Sequence, residues 1–209
     1  MPKRVANAQL LFEIAATQAG YFTAQQASAA SYSRRNLAYH ASTGRFERVS
    51  RGFYRIREFP ALSHEDIVAA WVKSGPSKAV VSHETALALH DLSTARPRKI
   101  DITLPREARP AGNRPQLSAV RIHTTTRSFR PGEVVHREGV RMTSTVRTIV
   151  DAAAAGTGPE HIIEAVAQAL ARRLLTAKEL RDAAAGRSAR VQRLVLRALQ
   201  EARQHAPRR

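Results

Sequence analysis

The residues best suited to chemistry in this chain are cationic and closely spaced. Ser33-Arg34-Arg35-Asn36 and Tyr39 fall within seven positions, and Arg45, Arg48, Arg51 and Arg55 follow at intervals of three or four. An arginine can donate two parallel hydrogen bonds to a guanine edge in the major groove, while hydroxyl, amide and phenol groups bond phosphate oxygens. These nine residues are therefore the candidate DNA contacts. A plain basic helix facing solvent is the competing reading, and the run of arginines after the helix weighs against it. The histidines and carboxylates point less clearly to chemistry. His64-Glu65 and His83-Glu84 lack the second histidine four residues on that a zinc protease helix needs. Ser82-His83-Glu84 holds nucleophile, base and acid types, but neighbours at a helix start point in different directions. Ser82 as an N-cap and Glu84 as a first-turn acid meeting the helix dipole account for both. Asp101 and Asp151 read as isolated carboxylates, short of the clustered acids of a metal-dependent nuclease. The expectation is no catalytic residue, no metal and no cofactor.

The elements that would carry the cationic cluster can be read from local signals. Leu10, Leu11, Ile14 and Ala15 mark one face of a helix over 7–19, stopped by Gly20. Tyr21-Phe22 is too short for more than one bridge. Thr23 with Gln26 forms a capping box for a short helix over 24–30, Ser31-Tyr32 makes a turn, and Ser33 caps a third helix over 34–43 that Gly44 ends. Leu37 and Ala41 face the core, and His40 reads as a half-buried core histidine. Arg34, Arg35 and Tyr39 are left near the outward N-terminal half, the part that enters a groove first. After Gly44 the period changes to two, with Ser50-Arg51-Gly52 as the tip of a hairpin flanked by Arg48 and Arg51. Helix, turn, helix and basic hairpin, in that order, make a winged helix-turn-helix.

Composition bears on partners rather than on fold. The chain has 209 residues, 34 Lys+Arg against 17 Asp+Glu, and a net charge of +17, with arginine supplying 29 of the cations. Such a surface attracts polyanions, and the attraction falls steeply with salt. The balance is +6 over residues 1–60, +5 over 61–155 and +6 over 156–209, so the two ends are the more basic per residue. With no cysteine there can be neither a disulfide nor a thiolate metal site. Met1-Pro2-Lys3-Arg4 leads into an amphipathic stretch, not a signal core. No run approaches the roughly 20 apolar residues of a membrane span. The sequence reads as a soluble cytoplasmic protein that does not engage a membrane.

Phe59-Pro60 breaks the pattern and sets a division into a winged helix-turn-helix domain over 1–60 and a mixed domain over 61–209. In the second part the spacing predicts a helix over 63–74, a strand at 79–81 and a helix over 83–90. Strands follow at 100–104, 120–125 and 134–142, the last with a bend at Gly139, and a Pro-, Gly- and Arg-rich loop spans 105–115. Helices over 145–155, 159–173, 176–185 and 188–205 precede a frayed tail, 207–209. In the last helix Arg187, Arg190, Arg193, Arg197 and Arg203 flank Val191, Leu194, Val195, Leu196 and Leu199. An amphipathic helix with arginine stems along its edges is favoured there over a second nucleic-acid surface or a docking face for an acidic protein. The expected fold class is α+β: an N-terminal winged helix-turn-helix, then a mixed α/β C-terminal domain with a helical end.

Several segments in combination resemble one known family. Gly20-Tyr21-Phe22-Thr23, Tyr32-Ser33-Arg34-Arg35, Gly44-Arg45-Phe46-Glu47-Arg48-Val49 and Arg51-Gly52-Phe53-Tyr54-Arg55 resemble the winged-helix domain of AbiEi-type antitoxins of type IV toxin–antitoxin systems. The likeness continues through Ser82-His83-Glu84-Thr85-Ala86-Leu87, Ile100-Asp101-Ile102-Thr103-Leu104-Pro105 and Thr145-Val146-Arg147-Thr148-Ile149-Val150-Asp151. The resemblance implies an autorepressor that binds double-stranded DNA at inverted repeats in its own promoter and opposes a nucleotidyltransferase-like toxin without a stable complex. Some relatives carry a restriction-type nuclease domain after such a region. The alternatives weighed are a nucleic-acid-acting enzyme and a stand-alone regulator with no toxin partner.

Overall fold

The computed structural model describes residues 5–94, 97–110, 117–137 and 139–204. Met1–Arg4, the 207–209 tail and part of the 105–115 loop, all named above, lie outside them. Two compact units divide after Ala79.

The first unit runs α1 (Ala8–Ala16), β1 (Tyr21–Thr23), α2 (Ala24–Ala29), α3 (Arg34–Ser42), β2 (Phe46–Ser50), β3 (Phe53–Ile56) and α4 (Glu65–Lys73). The local signals act as physical chemistry requires. Asn7 Oδ1 caps α1, Thr23 and Gln26 form both bonds of a capping box, and Ser33 Oγ accepts from Asn36 N. The helix-turn-helix corner is closed by Ser31, with φ of 64°. Leu11, Ala15, Phe22, Ala27, Ala30, Leu37, Phe46, Tyr54 and Ile56 form one core. Leu37 is 2% exposed, Ala41 is half-buried, and the His40 ring lies 5.0 Å from that of Phe46. Burial, and then the nearby Arg45 charge, lower the His40 pKa.

Two expectations change here. Tyr21–Thr23 makes a full antiparallel ladder with β3, so the sheet has three strands in the order β1-β3-β2 rather than a bare hairpin. And α4 belongs to this unit, although the division at residue 60 places it in the second part. It lies against the face of the sheet opposite α3: Tyr21 Oη donates to Glu65 Oε2 (3.2 Å), and the Lys73 ammonium sits 4.8 Å from the Phe53 ring centroid. Covered on both faces, β3 is buried at all four positions.

The second unit holds β4 (Val80–Val81), α5 (His83–Leu89), β5 (Ile100–Pro105), β6 (Val120–Thr125), β7 (Val134–Arg137), β8 (Val140–Thr143), α6 (Thr145–Ala155), α7 (Pro159–Ala171), α8 (Ala177–Ala185) and α9 (Ala189–Gln204). Its sheet has the order β6-β5-β4-β8-β7, with β5 parallel to β6 and β4 parallel to β8. The strand expected over 134–142 is a hairpin, β7 pairing antiparallel with β8 around Gly139, whose φ is 75°. A helical core of Leu87, Ile149, Ile162, Val166, Leu180 and Val195, among others, packs beside the sheet. In α9, Val191, Val195, Ala198 and Leu199 are buried, while Leu196, placed on the apolar face above, is 48% exposed. Arg190 donates to the carbonyls of Ala153 and Ala154, which ties its stem to the packed side, while Arg197 pairs with Glu201 on the exposed side. Among the described residues no helix is long and apolar enough to cross a membrane.

Candidate nucleic-acid interface

The first turn of α3 is built against its own electrostatics. Ser33 caps it, Arg34 and Arg35 follow, and no acid lies in the first turn. A cation at the positive end of a helix costs about 0.3–1 kcal/mol at an exposed site. Two in succession are a structural liability that a bound polyanion would reverse. Arg34, Arg35, Asn36 and Ala38 are exposed, and Tyr39 is 62% exposed. The Ser33 hydroxyl is committed to the cap and also donates to Asn36 Oδ1, which leaves the Asn36 amide donors outward.

The wing can be placed by register. Cross-strand partners share a face of a sheet. Phe46 pairs with Ile56 and Arg48 with Tyr54, so Arg48 lies on the face that packs against α3, at its open end. A bulge between Arg48 and Ser50 twists the tip, and Val49 is 40% exposed. Arg51 is exposed at the turn, where Gly52 has φ of 71°, and Gly52 O accepts from Ala24 N, tying the tip to α2. Arg45 is exposed at the base of β2.

Arg55 is the correction. It pairs with Glu47 across the ladder, on the opposite face from Arg48, and is 9% exposed. Its Nη2 donates to the carbonyls of Phe59 (3.0 Å) and Pro60 (2.8 Å) and meets Glu65 Oε1 at 3.1 Å. Its guanidinium lies 5.5 Å from the Tyr21 ring centroid. That guanidinium binds α4 and the segment before it, and it is withdrawn from any DNA surface. Burial beside Glu65 pushes the Tyr21 phenol up to about 12.

The sequence and structure of this region agree with one comparison. Residues 9–57 match the family model described as "Transcriptional regulator, AbiEi antitoxin". The AbiEi match covers the helix-turn-helix and the wing, and well under half the chain. Over the longer span, the structure is similar to the "Crystal structure of RV2827C protein from Mycobacterium tuberculosis", with a TM-score of 0.55 and 14% identity, covering 96% of this chain and 79% of that one. At that identity the likeness is one of fold. No curated protein matches the chain.

Residues dismissed above as unconnected converge in the second unit. Ser82 is not a side-chain cap: its Oγ bonds Thr103 Oγ1 (2.8 Å) and His83 Nδ1 (2.9 Å). Glu84 accepts from Thr157 Oγ1, so Ser82, His83 and Glu84 do point three ways. Asp101 is fully buried and not isolated, with His123 Nε2 at 2.9 Å and Arg121 Nη1 at 3.3 Å. The His83 and His123 rings stack with centroids 3.6 Å apart. Asp151 lies between Arg147 (2.6 Å) and Arg187 (2.5 Å). The usable signal was the parallel register that sets Thr103 beside His123. It depends on pairing strands twenty residues apart, which no local pattern encodes. Among the described residues no group of three or more acidic or histidine side chains could hold a metal ion.

Proposed function

We propose that this chain is a sequence-specific double-stranded DNA-binding repressor of its own operon, acting in the cytoplasm as the antitoxin against a nucleotidyltransferase-like toxin. It acts by binding and not by catalysis. The observation that carries this reading is the first turn of α3, where Arg34 and Arg35 are exposed beside a Ser33 cap without a compensating acid. Their placement is unfavourable for the isolated helix and favourable for a helix entering a polyanionic groove. Arg48 and Arg51 add wing contacts to the flanking backbone, with Arg45, Asn36 and Tyr39 at the margins. The AbiEi match over residues 9–57 supports the regulator and antitoxin reading.

A gel shift on the region upstream of the gene tests it. Tight, salt-sensitive binding to an inverted repeat is expected. Arg34→Ala or Arg35→Ala should cut discrimination between that site and random DNA by about 1–3 kcal/mol where a base contact is lost. Arg48→Ala and Arg51→Ala should weaken both complexes alike. Indifference of binding to all four changes would refute the assignment. For the toxin, co-expression with a neighbouring nucleotidyltransferase-like gene should relieve growth arrest, and failure to do so would leave a regulator alone.

A further inference from the structure

The second unit carries a solvent-open cavity of about 1230 Å³. One wall is the stacked His83 and His123 pair with Thr103, from the strands and the start of α5. Another is an ion network that joins three distant segments. Arg127 grips Glu133 with both terminal nitrogens (2.7 and 2.9 Å), Arg147 bridges Glu133 (3.2 Å) and Asp151, and Arg187 closes on Asp151. Three guanidiniums share two carboxylates, which leaves a surplus positive charge on the wall. Exposed Arg130 also lines the cavity. Two further acids line the cavity: Asp182 is paired with Lys178, and Glu179, which accepts from Thr176 at the start of α8, keeps its negative charge, so one positive charge remains in excess. Between these walls lie Val135, Val146, Val150 and Leu174.

His83 is held in an unusual state at this wall. Its φ is 53°, a left-handed conformation that costs a non-glycine residue about 1–3 kcal/mol and concentrates at functional sites. Ser82 engages Nδ1, so Nε2 is the nitrogen left for a ligand. Burial, then the neighbouring His123, push its pKa down to about 4, so at neutral pH the ring is an uncharged hydrogen-bonding group.

We propose that this cavity binds a small organic phosphate, with its anionic group against the surplus arginine charge and the threonine hydroxyls and its apolar part against the valine and leucine side chains. The surplus sets the sign of the ligand's charge. Four arginines line the cavity, and Glu133 and Asp151 are already bridged by three of them. Asp182 is paired with Lys178, and Glu179 is the one lining acid without an ion-pair partner among the described residues. Arginine forks suit phosphate geometry, and a pocket of this size holds a nucleotide-sized molecule with room for water. Nothing in this reading depends on DNA binding by the first unit.

The test uses the full chain with inorganic phosphate, adenosine 5′-monophosphate and adenosine as probes. Both phosphate probes should raise the melting temperature saturably and shift the ring-proton NMR signals of His83 and His123, and adenosine should do neither. Arg130→Ala, which removes no side-chain bond among the described residues, and Arg187→Ala should each weaken adenosine monophosphate binding by about tenfold or more, as expected for a lost charge-assisted contact. Arg34→Ala should leave it unchanged, which separates this site from the DNA surface. Absence of a saturable shift, full binding by Arg130→Ala, loss of binding in Arg34→Ala, or equal shifts from adenosine or magnesium chloride would each overturn the proposal.

Discussion

Arg55 shows how a residue's role follows from the face it occupies. By sequence it is one more arginine in a basic hairpin; by register it lies opposite Arg48 and ends on Glu65. Arg55→Ala should therefore destabilise the first unit by about 2 kcal/mol, because it leaves Glu65 and two carbonyls without their donor. Urea unfolding would show this, and DNA affinity measured well below the transition should not move. His83 gives a pH prediction. Its folded pKa is about 4 against 6.5 for the free group. Below 6.5 the unfolded chain takes up a proton that the folded chain refuses, so stability should fall as pH drops from 6.5 towards 4. The loss at the bottom of that window is of order 3 kcal/mol, and His83→Gln should flatten it in a series of urea midpoints. His90, lowered chiefly by burial, acts in the same direction. At this scale the sequence made Arg34, Arg35, Tyr39, Arg48 and Arg51 readable as surface cations and aromatics, because helix spacing and a turn suffice to expose them. The partners of Asp101, and Arg187 beside Asp151, were hidden because they come from segments distant in sequence. Arg147, by contrast, is an i,i+4 neighbour of Asp151, and the Arg55 contacts follow from the strand face it occupies.

Helix caps and stops were legible because they are local chemistry. Thr23 with Gln26, and Ser33, each form the bonds that their types allow, while Asn7, expected inside the first helix, turns out to be its cap. Sheet membership was not. Three residues at 21–23 become a strand only because β3 lies alongside, and 134–143 becomes a hairpin because Gly139 takes a positive φ. Two glycines separate the turn requirement from the packing requirement. Gly44 has φ of 79° with nothing within 4 Å of an added Cβ, so Gly44→Ala should cost about 1 kcal/mol through backbone strain alone. Gly20 has φ of 86°, and an added Cβ would lie 2.7 Å from Phe59 Cβ. Gly20→Ala should cost about 3 kcal/mol, because the Phe59 side chain must also move. Comparing the two melting temperatures checks the difference, and equal losses would show that Phe59 gives way freely.

Over the whole chain, a charge of +17 with basic ends governs how strongly DNA is held under different conditions. With about six phosphate contacts, raising salt from about 50 to about 200 mM should lower affinity on the order of a thousandfold, and Arg48→Ala should reduce the slope by about one contact's worth. Titrations at several salt concentrations read both. The α+β class and the order of elements were legible from period and punctuation, but the place where one unit ends was not. Phe59-Pro60 looks like a break in the sequence, and Arg55 bonds both of their carbonyls.

That burial of β3 on both sides sets a limit on how the DNA-reading part can be isolated. A gene fragment stopped at residue 57 would encode the whole helix-turn-helix and wing, yet would strip the cover from Tyr21, Phe53 and Arg55. Such a piece should aggregate or melt early through the uncovered stack of Tyr21 on Phe53. Extending the fragment to Ala79 restores α4 and its seal. The recognition surface is short, but its foundation reaches well past it.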